Sequence, residues 1–350
     1  MTRKVAVLGS GSWGTALSIV LADNGHSVHL WGRSEEQVTS INEKRKNSRY
    51  IKDVELPDGI QASTDIRTIL ADADYVVIVV PTKAVRDVIQ SALPHLNSGA
   101  LIVHASKGIE PETHLRISEM IHEELPEGHN HPIAALSGPS HAEEVCYRQP
   151  TTVTCSSEDE EAAKSVQDLF MNQSFRVYTN IDIIGVEMGG ALKNIIAIGA
   201  GMTNGLGFGD NARAALMTRG LAEIARLGMK LGANPMTFAG LSGLGDLIVT
   251  CTSEHSRNWR AGKRLGEGIS AKQVEDEMGM VVEGIRTTKA AHQLAEKVNV
   301  DMPITSELFH VLFDDKPPKE AVAELMGRVK KHEVEDLKLN DKDPLNYFEP

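Results

Sequence analysis

Gly9-Ser10-Gly11-Ser12-Trp13-Gly14 is the first stretch whose residue types could do chemistry. It fits G-x-G-x-x-G between Lys4 to Leu8, which reads as a short buried strand, and Thr15 to Asp23, which reads as a helix. Glycines there permit a tight turn and close approach of backbone to a pyrophosphate, and free amides at the helix start attract anionic oxygen. A glycine turn joining two packed elements is the plainer reading; a second strand at Ser27 to Trp31 favours a dinucleotide site. Beyond that strand stands Arg33, where a carboxylate would select NAD by bonding the ribose 2′-hydroxyl. An arginine accommodates the 2′-phosphate of NADP, and Glu35 nearby leaves NAD open as well.

A second candidate lies in Ile181 to Met202, mostly apolar or glycine, where Lys193 is the only cation. Burying an ammonium is costly unless it is paired or its pKa falls from about 10.4 toward neutrality. Such a lysine both gives and takes a proton. The other reading lays its stem along the helix with the head in water. Gly243 to Leu247 places Asp246 in a glycine-rich turn, and Ser256-Arg257-Asn258 groups a hydroxyl, a guanidinium and an amide suited to phosphate oxygens. Taken singly, Asp246 also reads as a turn residue and Arg257 as a surface charge. Ser106-Lys107-Gly108 and Gly138-Pro139-Ser140 each follow a strand, where doubly wound sheets bind ligands. His129-Asn130-His131 lacks obvious partners, so no metal is expected.

The elements that must position these groups fall into two regimes. Further strands are predicted at Tyr75 to Val80, Ala100 to Ala105, Ile133 to Leu136 and Thr151 to Cys155, as continuous apolar runs suited to burial on both faces, and the texture changes after Phe175 to Tyr178. Beyond them Asp182 caps a predicted long helix toward Met202, and Ala212 to Leu231, Lys272 to Met278 and Thr287 to Lys297 read as helical. Asn234-Pro235 is a cap and first-turn pair. The expected fold is α/β, a doubly wound sheet over residues 1–182 followed by a mostly helical domain over 183–335, with a charged, frayed tail over 336–350.

Composition narrows the partners. Among 350 residues, 36 Lys and Arg face 48 Asp and Glu, a net charge of −12 that repels polyanions and argues against nucleic-acid binding. A small anionic substrate must be caught by local cations. Three scattered cysteines without a C-x-x-C pair fit a reducing cytoplasm, and glycines from Gly9 onward interrupt the apolar run a secretory signal would need. The other uninterrupted apolar runs are far shorter than the ~18 residues of a membrane span.

The stretches GSGSWGTAL, ASKGIE, LSGPSHAEEV, GVEMGGALKNIIAIGAGM, GLGDLIVTCTSEHSRN and VVEGIRTTKA, in that order, resemble the bacterial NAD(P)-dependent glycerol-3-phosphate dehydrogenases over about residues 4–330. The resemblance implies reduction of dihydroxyacetone phosphate to sn-glycerol 3-phosphate for phospholipid synthesis. By motif it implies dinucleotide contacts from Ser12, Trp13, Arg33, Ala142, Val281 and Glu283, beside Gly9, Gly11 and Gly14 of the turn. Lys107 then touches cofactor and substrate, as does Arg257. Gly138, Ser140, Asp246, Ser256 and Asn258 take substrate positions, and Lys193 is the proton acceptor. Helical domains of this kind often pair, so a homodimer is expected.

Two other functions stay open at this point. A related dehydrogenase of another small hydroxy acid or phosphate would share the dinucleotide turn and the lysine, and trial of each substrate separates the two. A non-catalytic dinucleotide sensor would bind without turnover, but it has no need of a Lys193 and Asp246 pair.

Overall fold

The computed structural model describes residues 2–278 and 282–330, so Val281 and the tail expected over 336–350 lie outside the described residues. Strand β1 (Lys4–Leu8) is followed by α1 (Ser12–Asp23), β2 (Ser27–Trp31), α2 (Glu35–Lys44), β3 (Ile60–Ser63), α3 (Ile66–Leu70), β4 (Tyr75–Ile78) and α4 (Val85–Ala92). Then come β5 (Leu101–His104), α5 (Ile117–Glu124), β6 (Ile133–Ser137), α6 (Ala142–Cys146), β7 (Thr151–Ser156), α7 (Glu160–Phe170) and β8 (Phe175–Asn180). The eight strands form one sheet in the order β3-β2-β1-β4-β5-β6-β7-β8. Residues 5–8 of β1 and all of β4 and β5 are buried, as helices packed on both faces require. The order reverses between β1 and β4, and loops at the carboxyl ends of such strands form the crevice where doubly wound sheets take ligands.

The doubly wound reading holds, with three differences. Helix α1 starts at Ser12, inside the glycine motif, because Gly11 already serves as its N-cap. Strand β3 was not expected, since Ile-Gln-Ala-Ser has no apolar run; pairing with β2 makes it a strand. Strands β6 and β7 run antiparallel, with Leu136 opposite Cys155, whereas their neighbours pair in parallel.

Among the described residues no strand follows Asn180. Helices α8 (Ile183–Gly205), α9 (Asp210–Lys230), α10 (Pro235–Phe238), α11 (Asp246–Thr252), α12 (Arg257–Gly266), α13 (Ala271–Met278), α14 (Glu283–Val298), α15 (Pro303–Phe313) and α16 (Pro318–Gly327) make up the second half. Asp182 caps α8 by accepting from the Gly185 amide at 2.9 Å and also takes the Asn234 amide at 2.9 Å, fixing where the chain returns. Helix α8 is the axis on which α9, α11, α12 and α14 pack. Its glycines let α12 touch it backbone to backbone: a Cβ on Gly201 would lie 1.9 Å from the Trp259 carbonyl oxygen, and one on Gly262 1.9 Å from that of Ile198. By length and composition α8 could cross a membrane, which a count of uninterrupted apolar runs passes over. Its most apolar window is 94% buried within the fold, so that surface is spent on the core.

Candidate active site

The glycine turn is built from both sides. Gly9 sits at φ +127°, open to glycine alone, and a Cβ there would come 2.5 Å from the Val79 carbonyl oxygen behind β4. Gly14 is as constrained, since its Cβ would lie 1.8 Å from the Gly9 oxygen. Gly11 has nothing within 4 Å of its would-be Cβ, and no side chain caps α1. Open space above uncapped helix amides fits a dinucleotide pyrophosphate. Ser12 and Trp13 open the helix, the Ser12 hydroxyl donating to the Tyr50 carbonyl at 3.4 Å and Trp13 packing on the sheet core.

Two residues that sequence reasoning missed hold this turn. Gln37 donates to the Ser10 carbonyl at 2.6 Å and accepts from the Ser10 hydroxyl at 3.0 Å. Asn47, buried, donates to the same carbonyl at 3.0 Å and to the Thr15 hydroxyl at 2.7 Å. No local signal marks them, because they reach the turn from α2 and the loop beyond it. Arg33 is exposed just past β2 with no ion pair among the described residues, while Glu35 accepts from the Thr64 hydroxyl at 2.7 Å.

Lys193, on the fourth turn of α8, is 7% exposed, and Asp246 is 1% exposed. Lys193 Nζ bonds Asp246 Oδ1 and donates to the Thr250 hydroxyl at 2.8 Å. Lys107, from the loop after β5, donates to Asp246 Oδ2 at 2.7 Å and reaches the Gly138 carbonyl at 3.5 Å. One carboxylate thus bridges two ammonium groups from opposite halves of the chain. Burial drives Lys193 down to about 7; Asp246 resists that fall, and the like charge of Lys107 adds to it. The amine is therefore poised to give or take a proton at neutral pH.

Asp246 does not lie in a loose turn, as the glycines around it suggested. Leu241–Gly245 is a π-helical turn that runs into α11, and Gly243 has the Phe238 carbonyl oxygen 2.1 Å from its would-be Cβ, so the glycines serve close packing. Thr250, one turn along α11, was missed; its hydroxyl also donates to the Asp246 carbonyl at 2.6 Å. The i, i+4 spacing from Asp246 is the signal that could have found it.

The Ser256-Arg257-Asn258 group opens α12. Ser256 is its N-cap, accepting from the Trp259 amide at 3.2 Å, and Arg257 is exposed at the first helical position. Asn258 points the other way: its amide donates to Asn194 at 2.8 Å and its oxygen accepts from the Gly284 amide at 2.9 Å. Its side chain braces α8 against α14, beside Lys193. Gly138 turns at φ +144° after β6, Ser140 donates to its carbonyl at 2.9 Å, and buried Ala142 starts α6. His141, also missed, stands between Ser140 and Ala142 with its ring 5.7 Å from that of His255. Burial holds its imidazole below the usual range, and the Lys193 charge adds to that.

A chain of contacts joins the glycine turn to the amine. Val79 closes on Gly9, Thr82 closes on Gly108 with 2.1 Å from hydroxyl to would-be Cβ, and Lys107 precedes Gly108. Thr82 also donates at 3.3 Å to Glu283, whose carboxyl is pushed up by burial.

The chain matches the N-terminal model of the NAD-dependent glycerol-3-phosphate dehydrogenase family over residues 4–163 and the C-terminal model over residues 182–323. A protein of Halalkalibacterium halodurans named glycerol-3-phosphate dehydrogenase (NAD(P)+) is 63% identical over 335 residues, 96% of this chain and 97% of that one. A namesake from Bacillus velezensis is 62% identical with the same coverage. The crystal structure of glycerol-3-phosphate dehydrogenase from Coxiella burnetii matches with a TM-score of 0.89 at 39% identity, covering 93% of this chain and 99% of that one. The chain belongs to the NAD-dependent glycerol-3-phosphate dehydrogenase family.

Proposed function

We propose that this protein reduces dihydroxyacetone phosphate to sn-glycerol 3-phosphate with NADPH or NADH, reversibly, and so supplies glycerophospholipid synthesis. The observation that carries the reading is the buried amine of Lys193, paired with Asp246 and with its proton affinity brought to about 7. When bound, the reduced nicotinamide supplies a hydride. Gly9, Gly11, Ser12, Trp13, Gly14, Ala142 and Glu283 would hold the dinucleotide, with Arg33 meeting a 2′-phosphate. Lys193, as the ammonium, gives a proton to the substrate oxygen; as the free amine it takes one back in reverse. Asp246 keeps the amine in place and balances its charge. Ser256 and Arg257 at the α12 N-terminus, with Lys107, Gly138 and Ser140 opposite, would receive the phosphate and hydroxyls. Asn258 contributes by bracing Asn194 and Gly284 beneath that end.

Steady-state assay with dihydroxyacetone phosphate and each reduced cofactor tests substrate, reaction and preference together. Binding of NADPH without turnover would sink the catalytic reading. We further propose a cytoplasmic homodimer of two-domain subunits, 1–182 and 183–335. Cys146, Cys155 and Cys251 are free and buried, and burial pushes each thiol up to about 12, so all three stay inert in a reducing compartment. A single-subunit mass from light scattering would overturn the dimer.

A further inference from the structure

The loop that ends β5 touches α8 twice. His104, the last residue of β5, is 2% exposed, with its Nε2 standing 3.1 Å from Oε1 of Glu187 on α8. This is a close approach of a ring nitrogen to a carboxylate, off the axis of a hydrogen bond. Its Nδ1 lies 3.3 Å from the Ser106 carbonyl, so both ring nitrogens face acceptors. The Ser106 hydroxyl donates to the Val80 carbonyl at 2.6 Å, which ties the same loop to the end of β4. The next residue, Lys107, sits on Asp246, and Asp246 on Lys193, which is again α8. Between the two touches lies Gly190, whose would-be Cβ meets the Ser137 hydroxyl at 2.7 Å and the Lys107 stem at 3.7 Å. Glu187, Gly190 and Lys193, three apart along α8, therefore close a circuit through His104, Ser106, Lys107 and Asp246.

Glu187 is saturated with donors. Apart from the approach of His104, it accepts from the Ser118 amide at 2.8 Å, the Ser118 hydroxyl at 2.6 Å and the Arg116 guanidinium, which also holds Glu119 at 2.8 Å. Burial would push its carboxyl up; the His104 ring, Arg116 and Ser118 outweigh burial and hold it at about 2. A buried ionic cluster is weak evidence for stability, because apolar packing of equal volume often serves as well. What directed charges can add is orientation, and the object oriented here is the loop that carries Lys107.

We propose that Glu187 and His104 are positioning residues for proton transfer: they fix the Ser106–Lys107 loop against α8 and so keep a second ammonium on Asp246 beside Lys193. The inference rests on the reading of Lys193 as the proton-transfer group. The groups facing Lys193 are Asp246, Lys107 and Thr250, with His141 and Cys251 close enough to feel its charge. With the loop released, Lys107 withdraws a like charge and Asp246 answers to Lys193 alone. Both changes make Lys193 hold its proton more tightly.

The test is the pH dependence of kcat for glycerol 3-phosphate oxidation, compared among wild type, Glu187→Gln, His104→Gln, Lys107→Met and the His104→Gln/Lys107→Met double variant. The rising limb should move to higher pH by on the order of one unit in each single variant. The double variant should move no further than Lys107→Met, because His104 acts through Lys107. A limb that stays put while kcat or Tm falls would overturn the proposal, as would additive shifts. His104→Gln keeps the Arg116 and Ser118 contacts of Glu187, so the test stands even if Glu187→Gln fails to fold. A Lys193→Met variant with unchanged turnover would instead overturn the reading of Lys193, and this inference with it.

Discussion

At the scale of single residues, the chemistry turns on how far burial outruns charge pairing. Lys193 has its carboxylate and still falls to about 7, because burial outweighs that pairing and the like charge of Lys107, which shares Asp246, adds to the fall. In the proposed role of Lys193, reduction uses the ammonium, so its rate should fall as pH rises through about 7; oxidation uses the amine and should rise over the same interval. Initial rates in both directions from pH 5.5 to 9 check this, and two limbs of the same sign would contradict it. Lys193→Met should lower kcat by ~10² to 10⁴ with dinucleotide affinity retained, read by turnover and by titration of NADPH fluorescence. Lys193 and Asp246 were legible as a lone cation in an oily stretch and a carboxylate among glycines. Thr250 and Asn194 were not, because a threonine or asparagine on a helix has many ordinary uses and only the fold shows whom it faces. Asn258 was legible as polar, but its partners across the helices, Asn194 and the Gly284 amide, were not.

At the scale of elements, the same residue type does two jobs within one turn. Gly14 is needed by the fold, since a methyl group would enter the Gly9 carbonyl, whereas Gly11 borders open space. Gly14→Ala should therefore lower Tm markedly. Gly11→Ala should leave Tm within about a degree of wild type, a surface-like change in stability, and raise the KM for dinucleotide severalfold by intruding on the pyrophosphate. Thermal melts beside cofactor kinetics separate the two; equal losses of Tm would refute the distinction. The strand, turn and helix around these glycines were readable from periodicity alone. Strand β3 and the antiparallel direction of β7 were not, because pairing partner and direction come from distant segments rather than local pattern. The start of α1 was misplaced because Ser12 to Gly14 read as turn, although they already carry helical backbone.

At the scale of the whole molecule, the site exists only where the two halves meet. Lys107 finds Asp246, Arg116 finds Glu187, Thr82 finds Glu283 and Asn180 finds Thr237 at 3.4 Å, each pair joining the sheet region to the helices. None of these pairs was legible, since separations such as the 139 residues between Lys107 and Asp246 leave no periodic trace. Three of the four include a charged side chain, and two of those charges are almost wholly buried, so parting the halves would strip Glu187 of its partners and leave Asp246 with Lys193 alone. The halves should therefore unfold together. Calorimetry is expected to give one transition, and NADPH at 100 times its Kd should raise the stability behind that transition by about 2.7 kcal/mol, because only the assembled chain binds it. Two transitions, with the ligand moving only the one that belongs to the sheet, would mean that the buried charges across the cleft do not hold the halves as a unit. The site would then be assembled by ligand rather than by the fold.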